Sequence, residues 1–323
     1  MSSSFKRIAI TGTTGFVGSG LMKELVSRYP DWEVLTLGRT QNAFGFPHAH
    51  WSFEDLTLAD DEFKNIDVVI HLAARAHQLN ERKASDLLSV YRDANVTPTI
   101  KLAEQAHRAG VKHFIHVSTI GVHGEKTEND AINEKSAFAP NTPYAKSKLE
   151  AEQLLIKSYA KTSMRITNVR PPLVYSAAAP GNFAKLLALA SSKLPLPVAS
   201  AKNKRNMIAL ENLVDFLLKL AMSTPVSNED YVVADSEAVS LQDIISFLRF
   251  GQGRQAFTFH FPIDVMQFGA VMIGKKKMAS QLFGSLEVSN EKACSALSWS
   301  PMISAKDALI STGQKFEELK TND

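Results

Sequence analysis

The first half of the chain repeats one pattern: a short aliphatic run, a polar turn, then a stretch with apolar residues at helical spacing. Lys6 to Thr11 predicts a strand and Phe16 to Tyr29 a helix. Glu33 to Leu37 and Asp67 to Leu72 predict further strands, and Ala84 to Ala109 a mostly helical stretch with Pro98 at a bend or helix start. His113 to Ser118 is the next expected strand, Tyr144 to Lys161 a long helix, and Met164 to Val169 one more strand. Strands of this kind, alternating with helices, belong to a parallel sheet covered on both faces. Crossovers in such sheets are right-handed, so the expected fold class is α/β with a doubly wound parallel sheet.

After Arg170-Pro171-Pro172 the alternation loosens. Residues 176–205 and 236–320 mix helices with proline-containing loops and predict a smaller, interleaved lobe. Between them, Asn206 to Ser223 and Asp230 to Ala234 regain regular patterning and are expected to rejoin the main sheet. Phe261 to Gly274 stands out as apolar, but Asp264 and Gln267 interrupt it and it is too short to span a bilayer. A helix packed on the protein's own core is expected there, in preference to one lying on a membrane surface.

Composition adds mainly exclusions. At 323 residues with 45% apolar and 21% charged residues, the chain suits a globular protein of one large domain or two lobes sharing a core. The net charge is only +3, and the longest basic run, Lys275-Lys276-Lys277, reads as a solvated patch, so no nucleic-acid partner is expected. A single cysteine, Cys294, excludes an internal disulfide and any multi-cysteine metal site; no metal is expected. With no secretory signal in the first residues and no membrane-spanning window, the expected location is cytoplasmic.

Candidate chemistry begins at Thr11-Gly12-Thr13-Thr14-Gly15-Phe16-Val17-Gly18, which follows a strand and opens a helix. In that context Gly12 permits the tight turn, Gly15 lets backbone approach a pyrophosphate, and Gly18 allows close packing of helix on strand. The helix N-terminus presents unpaired N–H groups to the phosphates of a dinucleotide. About 20 residues on, where a carboxylate would accept from a ribose hydroxyl, the chain has Leu37-Gly38-Arg39-Thr40. Arg39 can pair with a 2′-phosphate, so NADP is expected ahead of NAD. Asp55 and Leu56 are placed to reach the adenine, and Leu72, Ala73 and Ala74 to let the cofactor pass close to the backbone.

Tyr144 and Lys148, four residues apart, project from one helix face. A tyrosine and a lysine at this spacing, alone, are as easily helix decoration. Downstream of a glycine turn and of Ser118-Thr119 at a strand end, they read as an acid/base pair beside a nicotinamide. An ammonium at Lys148 is expected to lower the tyrosine pKa and can hold the cofactor ribose, while Thr119 donates to the substrate oxygen.

These residues resemble the extended short-chain dehydrogenase/reductase family of nucleotide-sugar epimerases, dehydratases and reductases. The resemblance rests on the glycine turn, His71-Leu-Ala-Ala, Asn95-Val, Ser118-Thr119 with Val122-His123-Gly124, Tyr144-x-x-x-Lys148 and Arg170-Pro171-Pro172-Leu-Val-Tyr175. It implies a Rossmann domain over 5–175, rejoined by 206–235, and a substrate lobe from 176–205 and 236–320. It implies that Asn95 supports the proton relay and that Ser118 and Pro171 line the cofactor. Asn182 and Phe183 would begin the sugar-nucleotide loop, and Arg205 would hold the substrate diphosphate. Homodimerisation through Ala84 to Ala109 and Tyr144 to Lys161 is implied as well. Dehydratases of the family follow the threonine with Asp-Glu, and here Ile120-Gly121 leave elimination without its carboxylates. Arg170-Pro-Pro-Leu-Val-Tyr, Lys193-Leu-Pro-Leu-Pro and Phe283-Gly-Ser-Leu-Glu-Val resemble a bacterial group that reduces the C4 ketone of UDP-4-keto-6-deoxy-N-acetylhexosamines for surface polysaccharides. A UDP-sugar 4-epimerase with retained NAD is the alternative, and a cofactor-binding regulator without catalysis the third reading.

Overall fold

A computed structural model describes residues 6–52, 62–76, 86–128, 130–224, 227–272, 274 and 276–322. Seven strands form one parallel sheet: β1 (Arg7–Thr11), β2 (Glu33–Gly38), β3 (His48–His50), β4 (Val68–His71), β5 (His113–Val117), β6 (Arg165–Arg170) and β9 (Glu229–Val232). Their order is β3-β2-β1-β4-β5-β6-β9. The small strands β7 (Val174–Tyr175) and β8 (Ile208–Ala209) pair separately. The expected α/β doubly wound sheet is therefore present, and the stretch expected to rejoin it does so through β9. The strand β3 was not foreseen.

Alternate residues of each strand serve opposite faces. Ile8, Ile10, Val68 and Ile70 pack with Leu21, Met22 and Leu25 of α1 (Phe16–Arg28) and with Leu213, Phe216 and Leu217 of α6 (Leu210–Met222). Ala9, Val69, Phe114 and Ile166 face the other way, against α3 (Thr97–Arg108) and α4 (Pro143–Tyr159). The stretch expected from Ala84 to Ala109 is two helices, α2 (Leu87–Asn95) and α3, because Pro98 lies in the first turn of α3, where its missing N–H costs nothing. A further buried cluster joins α5 (Asn182–Ala190), α7 (Leu241–Gly251) and α11 (Ala305–Asn322) through Phe183, Leu187, Ile245, Leu248 and Leu309.

The Phe261 to Gly274 stretch departs from expectation. Most of it forms α8 (Ile263–Met272), which has no buried residue and packs against α9 (Lys276–Phe283), not into a core. Its apolar residues outnumber the contacts the adjacent cluster offers: only Ile263 reaches that cluster. No helix among the described residues is long and apolar enough to cross a membrane.

One row of polar residues runs across the apolar sheet. Thr11, His71, His116, Asn168 and Asp230 are register neighbours on β1, β4, β5, β6 and β9. The first four are essentially inaccessible to solvent. Thr11 Oγ1 accepts from the N–H groups of Leu72 and Ala73 at 3.2 and 3.1 Å, so its own hydrogen goes to His71 Nδ1 at 2.7 Å. His71 then donates from Nε2 to Thr99 Oγ1 at 2.8 Å, and Thr99 donates to Asn95 O. The His71 and His116 rings stack with centroids 6.0 Å apart. His116 Nδ1 donates to Asn168 Oδ1 at 3.1 Å, and Asn168 Nδ2 donates to Asp230 Oδ1 at 2.8 Å.

Burial, aided by the charge of Lys148, lowers the His71 pKa to about 3; burial and Lys6 lower that of His113 to about 3. His116 is pushed well below the ordinary 6.5 by the same burial and by Lys148. The unfolded chain therefore binds protons below pH 6.5 that the folded chain refuses, so ν is larger in the unfolded state and stability falls as pH falls. Each histidine contributes at most ~1.4 kcal/mol per pH unit in this window. Urea midpoints measured downward from neutrality should fall before the carboxylates titrate, and His113→Gln should flatten the slope by about a quarter, since His123 is lowered by burial as well. A flat profile, or one that His113→Gln leaves unchanged, contradicts neutral burial.

Candidate active site

At the carboxyl ends of the strands, the glycine turn faces the loop after β4. Gly12 holds φ +73°, and a Cβ there would lie 2.7 Å from the Ala73 nitrogen. A Cβ on Gly18 would overlap the Gly12 carbonyl, so α1 can lie this close only with glycine. The N-cap of α1 is Gly15, with no side chain to occupy its first N–H groups. Beside it opens a groove of about 220 Å³ whose walls include Thr14, Gly15, Arg39, Thr40, Trp51 and Ala73. Bare helix amides, backbone that cannot carry a Cβ, and an exposed guanidinium at the end of β2 fit a dinucleotide with its pyrophosphate on the turn.

Of the sequence-predicted cofactor residues, Gly12, Thr14, Gly15, Arg39, Leu72, Ala73 and Ala74 line this groove. Phe16 and Val17 pack their side chains into two different cores, and only their backbone belongs to the turn. Pro171 is buried at the end of β6, its carbonyl accepting from Ile120 N at 2.9 Å. Asp55 and Leu56 lie outside the described residues. Trp51 and Ser52, at the end of the unforeseen β3, also line the groove and were missed for that reason.

Tyr144 and Lys148 rise from the start of α4, which Thr142 caps by accepting from Ala145 N at 3.1 Å while Pro143 opens the first turn. Tyr144 is half-buried, its ring edge-on to Tyr91 at 6.1 Å. Lys148 is almost fully buried and donates from Nζ to His116 Nε2 at 2.8 Å. Burial lowers the Lys148 pKa to about 7, with Glu152 opposing, and raises that of Tyr144 to about 12. The expected lowering of the tyrosine by lysine is absent from this arrangement: the amine is turned inward to His116, and burial of the phenol prevails. Tyr144 is held as a neutral acid.

Thr119 is half-buried at the end of β5 and accepts from Gly121 N at 3.1 Å, which leaves its hydroxyl hydrogen free to donate elsewhere. Ser118 is buried beside it. Asn95 reaches Tyr144 through Ser147. Its amide clamps both the N and O of Arg75 (2.7 and 3.2 Å) and donates to Ser147 Oγ, which donates to Tyr144 O. It is thus a positioning residue linking α2, the loop after β4 and α4.

The residues carried over for substrate are more dispersed. Asn182 is exposed at the start of α5 and donates to Gln281 at 3.2 Å. The ring of Phe183 is fully buried against Tyr175 at 5.4 Å, in the first turn of α5 just after the turn at Gly181, φ +70°. Arg205 donates to Gly284 O at 2.9 Å, and burial lowers its pKa. The phenol of Tyr175 is tied to Asp235 at 2.7 Å, away from any open site.

Sequence reasoning also missed His116, Asn168 and Asp230 behind Lys148. Thr11 and His71 close their strands, whereas His116 and Asn168 stand one and two residues short of the ends of β5 and β6. Only the register turns these positions into a row.

The model of the NAD dependent epimerase/dehydratase family matches residues 8–234. A UDP-glucose 4-epimerase of Vibrio cholerae is 32% identical over 96% of this chain and 95% of that protein. Among solved structures, a UDP-N-acetylglucosamine 4-epimerase from Bacillus cereus superposes with TM-score 0.76 at 18% identity, covering 96% of this chain and 99% of the other. A UDP-glucuronic acid 4-epimerase from the same organism, in complex with NAD, gives 0.75 at 21% identity over 97% and 99%. At those identities the two structures speak for the fold.

His116→Phe keeps an aromatic ring but removes the acceptor of Lys148 and the donor to Asn168. It should destabilise the fold by ~2–4 kcal/mol, as two buried polar groups lose their partners. His116→Gln, which can accept and donate, should restore most of that in urea unfolding. Equal losses in the two variants would show that the ring contributes by packing alone.

Proposed function

The chain belongs to the NAD dependent epimerase/dehydratase family, and from that premise we propose that it carries out redox chemistry at C4 of a UDP-hexose, reducing the 4-ketone of a UDP-4-keto-6-deoxy-N-acetylhexosamine. One observation carries this reading: a neutral, half-buried phenol in the first turn of α4 and, at the end of β5, a threonine hydroxyl with a free hydrogen, with Ile120-Gly121 where elimination would need carboxylates. The groove at Gly12, Gly15 and Arg39 would hold NAD(P)H, whose dihydronicotinamide would give the hydride to C4 and leave as NAD(P)+. Thr119 donates a hydrogen bond to the sugar O4 and Tyr144 gives it a proton; a phenol held near pKa 12 is protonated throughout the neutral range, as a proton donor must be. Lys148 orients the cofactor ribose and is itself held by His116. Asn182 and Arg205 hold the sugar nucleotide; Arg205 must then exchange Gly284 O for phosphate.

The second reading, UDP-sugar 4-epimerisation with retained NAD, is supported by the Vibrio cholerae relative. Arg39 favours the first, since an exposed guanidinium without a carboxylate at the end of β2 suits an exchangeable NADPH.

Incubation of the purified chain with NADPH and the 4-keto sugar should consume one NADPH per sugar reduced. Interconversion of UDP-glucose and UDP-galactose with no added cofactor would select the epimerase instead. In either case Tyr144→Phe should lower kcat by ~10²–10⁴-fold with the fold retained; undiminished turnover would sink both readings. Arg39→Ala should raise the NADPH KM about tenfold or more and leave that of NADH nearly unchanged, the loss of one charge-assisted contact. Equal effects on both cofactors would remove the case for NADPH.

A further inference from the structure

Lys148 rises from a helix, but the group that touches its amine comes from the sheet. Nζ meets His116 Nε2 at 2.8 Å, and both side chains are essentially inaccessible to solvent. What this contact does to the amine depends on which ring nitrogen carries the proton. With the proton on Nδ1, Nε2 presents a lone pair and can only accept, which favours the ammonium. With the proton on Nε2, the ring donates to the amine lone pair and favours neutral lysine.

That choice is made two strands away. A carboxylate accepts and cannot donate, so Asp230 Oδ1 draws the amide nitrogen of Asn168 to itself at 2.8 Å. Arg170 holds the other oxygen of Asp230 at 2.7 Å. Only the amide oxygen of Asn168 is then left for His116 Nδ1, 3.1 Å away, and an oxygen there requires the proton on Nδ1. His71 stacks on the same ring but offers no competing partner, because Thr11 and Thr99 occupy its two nitrogens.

The other charged and titratable groups of this region are His71 on β4, Tyr144 and Glu152 on α4, Arg170 on β6 and Asp230 on β9, with His123 bonded to Arg170 at 3.2 Å. Glu152 favours the ammonium from a distance, its oxygens held by Arg170. Among the described residues none of these groups bonds Lys148 Nζ; His116 does. Burial has already brought the lysine pKa down to about 7, so its two forms are close to balance at neutral pH and one hydrogen bond decides between them.

We propose that Asn168 is a positioning residue for the redox chemistry: by taking the Nδ1 proton of His116 it keeps a ring lone pair on Lys148 and so holds the lysine as an ammonium for the cofactor ribose. This rests on the role given to Lys148 under the proposed function. Asn168 acts through the histidine, since His116 and Asp230 engage the two ends of its amide.

Nitrogen NMR of the cofactor-free parent, labelled at histidine and held at neutral pH, should place the His116 proton on Nδ1; the signal is identified by its loss in His116→Gln. A proton on Nε2 overturns the proposal, whether or not any variant at Asn168 folds. NADH affinity, followed by its fluorescence, should fall in the parent as pH rises through about 7, where the folded lysine loses its proton. NADH is used because it lacks the 2′-phosphate, which titrates in a neighbouring range. Asn168→Leu should move this fall downward by about one to two pH units, the equivalent of one hydrogen bond to a charged group. Asn168→Asp still accepts from Nδ1 and should not move it downward. Equal midpoints in all three proteins, a downward shift shared by both variants, or a parent affinity flat with pH each overturn the proposal. Failure of the redox reading would show separately, as undiminished turnover in Tyr144→Phe with the tautomer and the midpoints as expected.

Discussion

The row from Thr11 through His71, His116 and Asn168 to Asp230 is the constraint on which the site depends. Burying polar groups in the middle of an apolar sheet is unfavourable unless each finds a partner. Here every ring nitrogen of His71 and His116 has one, and those partners fix the tautomers: Nε2–H on His71, Nδ1–H on His116. A slip of one residue in any of these strands would turn its polar member onto the face filled by Leu21, Phe216 and Leu217. The row thus pins the register of β1, β4, β5, β6 and β9, and with it the loops that carry the glycine turn, Ala73 and Thr119.

The same row explains why Lys148 can be buried at all. An amine in an apolar interior loses its proton readily, and its pKa near 7 reflects that. The compensation is not a carboxylate in contact but a neutral histidine whose lone pair faces the amine. That lone pair is available because Asn168 takes the other ring proton, and Asn168 is oriented by Asp230. Asp230 is in turn bound to Arg170 at 2.7 Å, which also holds the buried Glu152. Of these charges only Glu152 acts directly on the lysine, opposing the loss of its proton.

Much of this was legible in the chain and some was not, for identifiable reasons. The glycine turn could be read because Gly12 and Gly18 are demanded by local backbone contacts, and the Tyr144–Lys148 pair because helical spacing is local. Strand β3 escaped notice because His48–His50 has no apolar run to announce it; it forms by pairing with β2 from Thr36 to Gly38. The burial of the Phe183 ring was not legible because a resemblance carries positions, not side-chain directions. The helix at Ile263–Met272 was expected to pack inward because apolarity was taken to mean burial. An apolar sequence says only that water is a poor neighbour; which neighbour replaces it is settled by the rest of the molecule. The polar row was invisible because it exists only across strands distant in sequence.

The inward bond of Lys148 and the role assigned to it toward the cofactor do not compete. An ammonium has three donors, and His116 takes one. That leaves two, which under the proposed function would serve the cofactor ribose. Nor does the raised tyrosine conflict with proton transfer. A phenol pushed to about 12 is a poor base but a dependable donor, and what it needs in the reducing direction is an oxygen whose proton affinity rises as the bond order of the ketone falls. Epimerisation asks more of the same residue, because it must also accept the proton back. In that direction the positive charge of the ammonium, steadied by His116, becomes the feature that brings the phenol within reach of deprotonation. The distance between the two readings therefore lies less in which residues are present than in how much of the lysine's charge reaches the tyrosine when the groove is filled.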